Sequence, residues 1–332
     1  MDRQALLKTV TDRAWHATHP PTVNAAAPTL QNPLPVGSHA WLQAAAAQFG
    51  VDEKAQQQFA TTGLLRLDAL HVVMICQSED PVPLWLAVGY LRTPQAIHSE
   101  TWQQLLLRAN GVAMAMNGIS LSLDEQGTTL LTRRLAFDAV DDALALAAIL
   151  NDIDALAASL IDLLLSLGQP EATQQADKAP ALPGWVMGWQ QQTALKIDAL
   201  AAQALAARWH YPLVQQAVAA SELPATQYQL NGCLCSLRFP EREIAITADG
   251  DGRHLFLSTP LELKTDDALR LLVANGDLQP LTYCSLGLYQ EEVSLLCRWD
   301  SLGLDGLDLA DCLANLMHLT MAFSSDTPRG DL

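Results

Sequence analysis

This chain of 332 residues contains residues able to do chemistry, but their spacing assembles no known reaction centre. His16 and His19 stand as H-x-x-H in a proline-rich stretch with no neighbouring carboxylate to complete a metal shell. The other six histidines are scattered, and no H-E-x-x-H occurs. Asp249-Gly250-Asp251-Gly252 begins like a calcium loop but lacks the later ligands and closing glutamate, so it reads as a turn between strands. There is no G-x-x-x-x-G-K-[ST], G-x-G-x-x-G or G-x-S-x-G, hence neither a phosphate cradle nor a nucleophile elbow. The acidic pairs Asp141/Asp142 and Asp266/Asp267 precede helical patterns, where the free N–H groups of a first turn account for them. Five of six cysteines fall in the second half with no C-x-x-C, and they read as reduced, buried thiols. Neither a metal nor a cofactor is called for, and the expectation is a binding protein rather than an enzyme.

The elements that carry these residues come twice. Leu106-Leu107-Arg108-Ala109-Asn110-Gly111 recurs as Leu271-Leu272-Val273-Ala274-Asn275-Gly276, a spacing of 165 residues. The same spacing lays residues 119–134 over 284–299 and makes Ser120/Ser285, Leu121/Leu286, Leu130/Leu295, Leu131/Leu296 and Arg133/Arg298 identical. A two-residue insertion then matches FDAVD (137–141) to LDGLD (304–308). In the first half the pattern predicts an Ala-rich helix over 39–50 and strands over 64–77 and 83–91. A helix from Ser99 to Asn110 follows, stopped by Gly111. A hairpin of strands at 118–123 and 128–134 and a long helix from Asp138 to Leu167 complete the half. The second half predicts a helix near 211–220, strands near 226–239, 243–248 and 253–259, a helix near 265–274, a hairpin at 281–299 and a helix at 307–322. It adds an amphipathic helix from Trp185 to Trp209.

The fold class expected is therefore α+β: two tandem copies of a helix–three strands–helix–two strands–helix domain with antiparallel sheets. Residues 1–38 form a lead-in, 39–168 the first domain, 169–184 a Pro/Ala/Gln-rich linker, 185–323 the second domain and 324–332 a tail. The net charge is −17, with −7 on residues 1–170 and −10 on 171–332. An acidic field repels phosphate backbones and anionic lipid heads, so neither nucleic acid nor a membrane surface is an expected partner, whereas a basic polypeptide is. The greasiest stretch, 140–167, carries Asp141, Asp142, Asp152, Asp154 and Asp162 and is not expected to span a bilayer. A cytoplasmic location follows as the expectation.

Residues 99–164 carry a resemblance. A Leu-rich helix (Leu105–Gly111) ends in Ala-Asn; Gly118-Ile119-Ser120-Leu121-Ser122-Leu123-Asp124 forms a short strand; Thr129–Arg134 and an acidic-capped terminal helix follow. This resembles the type III secretion chaperones of the Tir-chaperone (CesT-like) family, well over about 40–167 and more weakly over 210–323. The second half departs by placing Tyr289 where the first has Asp124, and the chain is more than twice the usual single-domain size. The resemblance implies a chaperone without ATPase activity that holds the N-terminal part of a secreted effector extended and export-ready, or a regulatory scaffold of the same system that binds a folded partner. It also implies pairing of the two copies, either as a monomeric pseudo-dimer or within a homodimer.

Candidate partner-binding residues are apolar. Trp85 and Ala87 lie on one face of a strand apolar on both sides, so Trp85 is either client-facing or packed beneath another segment. Val73 and Ile75 on the preceding strand carry the same ambiguity. Met114 and Met116 offer either a plastic pocket or core filling. Trp185 and Trp189, one helical turn apart, form a ridge suited to cover the second domain's sheet.

Overall fold

The computed structural model describes residues 34–77, 83–91, 99–124, 126–168, 208–240, 242–263, 267–289 and 292–325. Its first half runs α1 (His39–Ala47), α2 (Glu53–Thr62), β1 (Leu64–Arg66), β2 (His71–Gln77), β3 (Leu84–Leu91), α3 (Ser99–Asn117), β4 (Ser120–Leu123), β5 (Thr129–Arg134) and α4 (Ala143–Gly168). The second runs α5 (Tyr211–Ala220), β6 (Tyr228–Asn231), β7 (Leu234–Arg238), β8 (Glu243–Ala248), β9 (His254–Pro260), α6 (Ala268–Thr282), β10 (Cys284–Tyr289), β11 (Glu292–Asp300) and α7 (Gly306–Ser325). The fold is α+β, with two antiparallel sheets ordered β1-β2-β3-β5-β4 and β6-β7-β8-β9-β11-β10. The second order repeats the first with β6 added at the edge.

Alternation along the strands sets an inner face in each sheet. Val72, Met74, Cys76, Trp85, Ala87 and Leu131 point into the core in the first, as do Ile244, Ile246, Leu255, Leu257 and Leu295 in the second. Helix α4 lies over the first sheet, with Leu146, Leu150, Ile153 and Ala157 buried along one stripe. By length and apolarity its Ala143–Leu163 stretch could cross a membrane; here it is the cover of a sheet. Helix α2 was not anticipated. Asp52 caps its start, accepting from the Ala55 N–H at 2.7 Å, and Gly63 ends it in the left-handed conformation.

Two expectations about helix ends are corrected. Helix α3 runs straight through Asn110-Gly111 to Asn117, and α6 runs through Asn275-Gly276 to Thr282. The actual stops are Gly118 and Tyr283, both at positive φ (64° and 61°), whose N–H groups reach back to Met114 and Gln279. The Asn-Gly pairs are fixed by tertiary contacts instead. Asn110 Oδ1 accepts from the Leu121 N–H and its Nδ2 donates to the Leu121 carbonyl; Asn275 does the same with Leu286. Each amide thereby satisfies backbone groups of a buried edge strand, and Asn275 Nδ2 also donates to the Leu121 carbonyl of the other half at 3.1 Å.

The register of the repeat is also corrected. Leu121 pairs with Leu131, whereas Leu286 pairs with Leu295, so the spacing falls from 165 to 164 across the hairpin. A turn shorter by three residues, partly recovered by longer strands, accommodates the slip. Asp142 and Asp305 occupy the same position before the last helix, each accepting through Oδ1 from the N–H groups two and three residues on. The spacing there is 163, so FDAVD does not correspond to LDGLD.

The halves dock on each other. Helix α3 lies against β10 and β11 of the opposite half, and α6 against β4 and β5. Ser120 and Ser285, equivalent residues, share a hydrogen bond between their hydroxyls at 2.8 Å, which puts them on a local twofold axis. Arg134 donates to the Pro280 carbonyl (3.1 Å) and its counterpart Arg298 to the Ala115 carbonyl (2.6 Å). Gln279 Nε2 donates to the Gly118 carbonyl, and Arg253 clamps Asp138 through both terminal nitrogens (2.7 and 2.9 Å) while also gripping Asp300 of its own half.

Candidate partner-binding surfaces

The sequence-predicted residues do not come together. Val73 pairs with Val88 and Ile75 with Leu86, on the outer face of the first sheet, while Trp85 and Ala87 sit on the inner face with Cys76 and Met74. Trp85 is 3% exposed and meets Trp41 of α1 edge to face, ring centroids 5.2 Å apart. It is a core residue, because α1 and α4 cover this side of the sheet, and Ala87 beneath them is fully buried. Val73 is buried and Ile75 half-buried. Met114 is fully buried in α3 against Phe256 and Leu296 of the other half's sheet, so it belongs to the seam between halves; Met116 is half-buried at the same helix end. Trp185, Trp189 and the expected helix around them lie outside the described residues.

The outer faces of the sheets differ in kind. Positions filled by Leu64, Val73, Ile75 and Val88 in the first half are Ser236, Ala245, Thr247 and Ser258 in the second, by strand register. The two copies thus differ in chemistry on these faces, although Val73, Val88 and Ser258 are themselves buried.

A third surface was not found by sequence reasoning. Helix α7 presents Leu307, Ala310, Ala314, Met317 and Met321 as one stripe along a groove of about 610 Å³. The end of α5 and the β7–β8 turn, with Phe239 and Pro240, form the opposite rim. Asp311 and His318 lie along its length, and Leu307 and Met321 are 55% and 42% exposed. The first half shows why the space is open. Its matching turn makes the same backbone bond (Leu67 N–H to the Leu70 carbonyl, as Phe239 N–H to the Arg242 carbonyl). There, Leu67 and Leu70 are buried, and the Ala69 N–H donates to Asp154 of α4, tying turn to helix. In the second half Arg242 takes the place of Leu70 and pairs with Glu262, and Met317 takes the place of Asp154. Phe239 keeps an apolar side chain at the Leu67 position, but the Leu70 filling and the tie are both gone, and a groove remains.

Titratable groups near the seam serve docking. The Arg253 hydrogen bond holds Asp138 below the ordinary carboxylate range. Burial pushes Asp300 up, but the same guanidinium and the Leu302 N–H outweigh it, leaving that carboxyl lowered. Burial raises the Cys235 thiol to about 12, which leaves it unreactive. All six cysteines are free thiols. Among the described residues no group of three or more His, Cys, Asp or Glu side chains is placed to hold a metal ion.

No protein-family model matches the chain, and no curated protein matches it. Among solved structures, a chain of the ExoT–SpcS complex from Pseudomonas aeruginosa aligns over 35% of this chain and 97% of its own, at 20% identity and a TM-score of 0.28. A chain of the ExsC–ExsE complex aligns over 36% of this chain and 93% of its own, at 17% identity and a TM-score of 0.31.

Proposed function

We propose that this protein is a non-catalytic chaperone of the type III secretion kind, which binds an apolar segment of a secreted effector and keeps it soluble and ready for export. The observation that carries the reading is the open apolar groove beside α7, a surface that costs solvation unless a partner covers it. The sequence resemblance over residues 99–164 supports it, as does the order of elements in each half. The acidic balance suits encounter with a cationic segment. Purification from the native host, with mass spectrometry of bound polypeptides, tests the reading. A secreted protein held through its N-terminal region is expected, and that protein should aggregate when the chaperone is deleted. A folded cytosolic regulator in its place, with no effect on any secreted protein's solubility, would point to the scaffold role.

A further inference from the structure

The geometry points to the α7 groove as a dock for one amphipathic helix of the partner, carrying large apolar side chains on one face and a basic residue on its flank, with one such site per chain. This rests on the client-binding reading above and specifies where and in what conformation a segment is held.

Shape argues for a helix. The stripe from Leu307 to Met321 follows one uninterrupted helix and spans about 21 Å, the length of a partner helix of about fourteen residues. Ala310 and Ala314, one turn apart, make a low floor between the larger Leu307, Met317 and Met321, so a partner ridge can settle between shoulders. Two methionines let the walls adapt to side chains of different shape. Charge argues for a basic flank: Asp311 stands exposed beside the stripe on a chain of net charge −17. The first half argues for a single site. Its matching space is closed by Leu67, Leu70 and the Ala69–Asp154 bond, so among the described residues only the second half has room.

The test is fluorescence anisotropy of a dye-labelled synthetic peptide of about fifteen residues, with leucines at one-face helical spacing and lysines on the flanks. A shuffled peptide of the same composition serves as its control, and the full chain is used throughout. The striped peptide is expected to bind at least roughly tenfold tighter than the shuffled one. Ala314→Arg should weaken it by roughly tenfold or more. Asn151→Arg, at the matching and likewise exposed position of α4, should leave it unchanged. Asp311→Asn should weaken binding a few-fold and flatten its salt dependence. Unchanged circular dichroism of both arginine variants shows that folding is intact. Equal binding of the two peptides overturns the inference, as do equal effects of the two arginine substitutions. Self-association abolished by Ala314→Arg would give the groove to a second copy and overturn it too. If native-host material carries no polypeptide while the titration behaves as expected, the chaperone reading fails and the groove stands. If a client is bound but Ala314→Arg does not release it, the groove fails and the chaperone reading stands.

Discussion

Asn110-Gly111 and Asn275-Gly276 show how one residue pair can be read correctly for type and wrongly for cause. Asn then Gly after an apolar stripe is a stop signal, yet both pairs lie inside helices. What keeps them there cannot be seen one element at a time: the amide reaches a strand edge eleven residues away, and the glycine lets the opposite half approach. The approach is unequal. A Cβ on Gly111 would lie 2.6 Å from the Leu288 carbonyl oxygen, whereas one on Gly276 would find nothing nearer than the Ser122 hydroxyl at 3.9 Å. Gly276→Ala is therefore expected to stabilise the protein by up to about 1 kcal/mol through helix propensity. Gly111→Ala should destabilise it by about 1–3 kcal/mol, because backbone must move to admit the methyl group. Thermal midpoints of the two variants should shift in opposite directions.

Among the elements, helix α2 was legible and passed over. Asp52 before Glu53 and Gly63 after Thr62 are standard start and stop signals, but the intervening EKAQQQFATT has few apolar residues to mark a face. Asp52→Ala should cost about 1 kcal/mol and speed amide exchange in the first turn of α2. The order of strands and helices was readable because period and punctuation are local. The register was not, since leucines recur on both faces and an identity match cannot tell Leu130 from Leu131. A slip of one residue in a strand exchanges the faces. It also hid the pairing of Arg134 with Arg298, which the shared contact to a helix-end carbonyl reveals. Trp85 stayed ambiguous in the sequence for a related reason: a strand apolar on both sides does not say which side the helices will take. The α7 groove was illegible because it arises from lost filling at Arg242 and a lost tie at Met317, visible only when the halves are matched through their hydrogen bonds.

For the whole molecule, docking of the halves should depend on acid. Asp138 and Asp300 have lowered folded-state values, so their contribution is present above the ordinary aspartate value of about 3.9 and is lost as pH falls through the lower folded values. Urea midpoints should fall on acidification below about pH 4, and Arg253→Met should remove part of that slope. The chain is also expected to have monomeric mass in solution, because its two halves occupy each other's docking surfaces. A tight homodimer by light scattering would show that a further surface is sticky enough to pair.

The hydroxyl pair at Ser120 and Ser285 carries a last consequence. In two identical separate chains, any substitution at a twofold axis is made twice and meets itself, so a tolerable change on one side becomes a clash of two. Joining the copies in one polypeptide removes that coupling. Ser122 can face the same seam that Gly287 faces from the other side, and Gly111 can sit tight while Gly276 sits loose. Covalent fusion turns one constrained alphabet into two independent ones, and that freedom lets a pair of near-copies keep a common joint while evolving different outer surfaces.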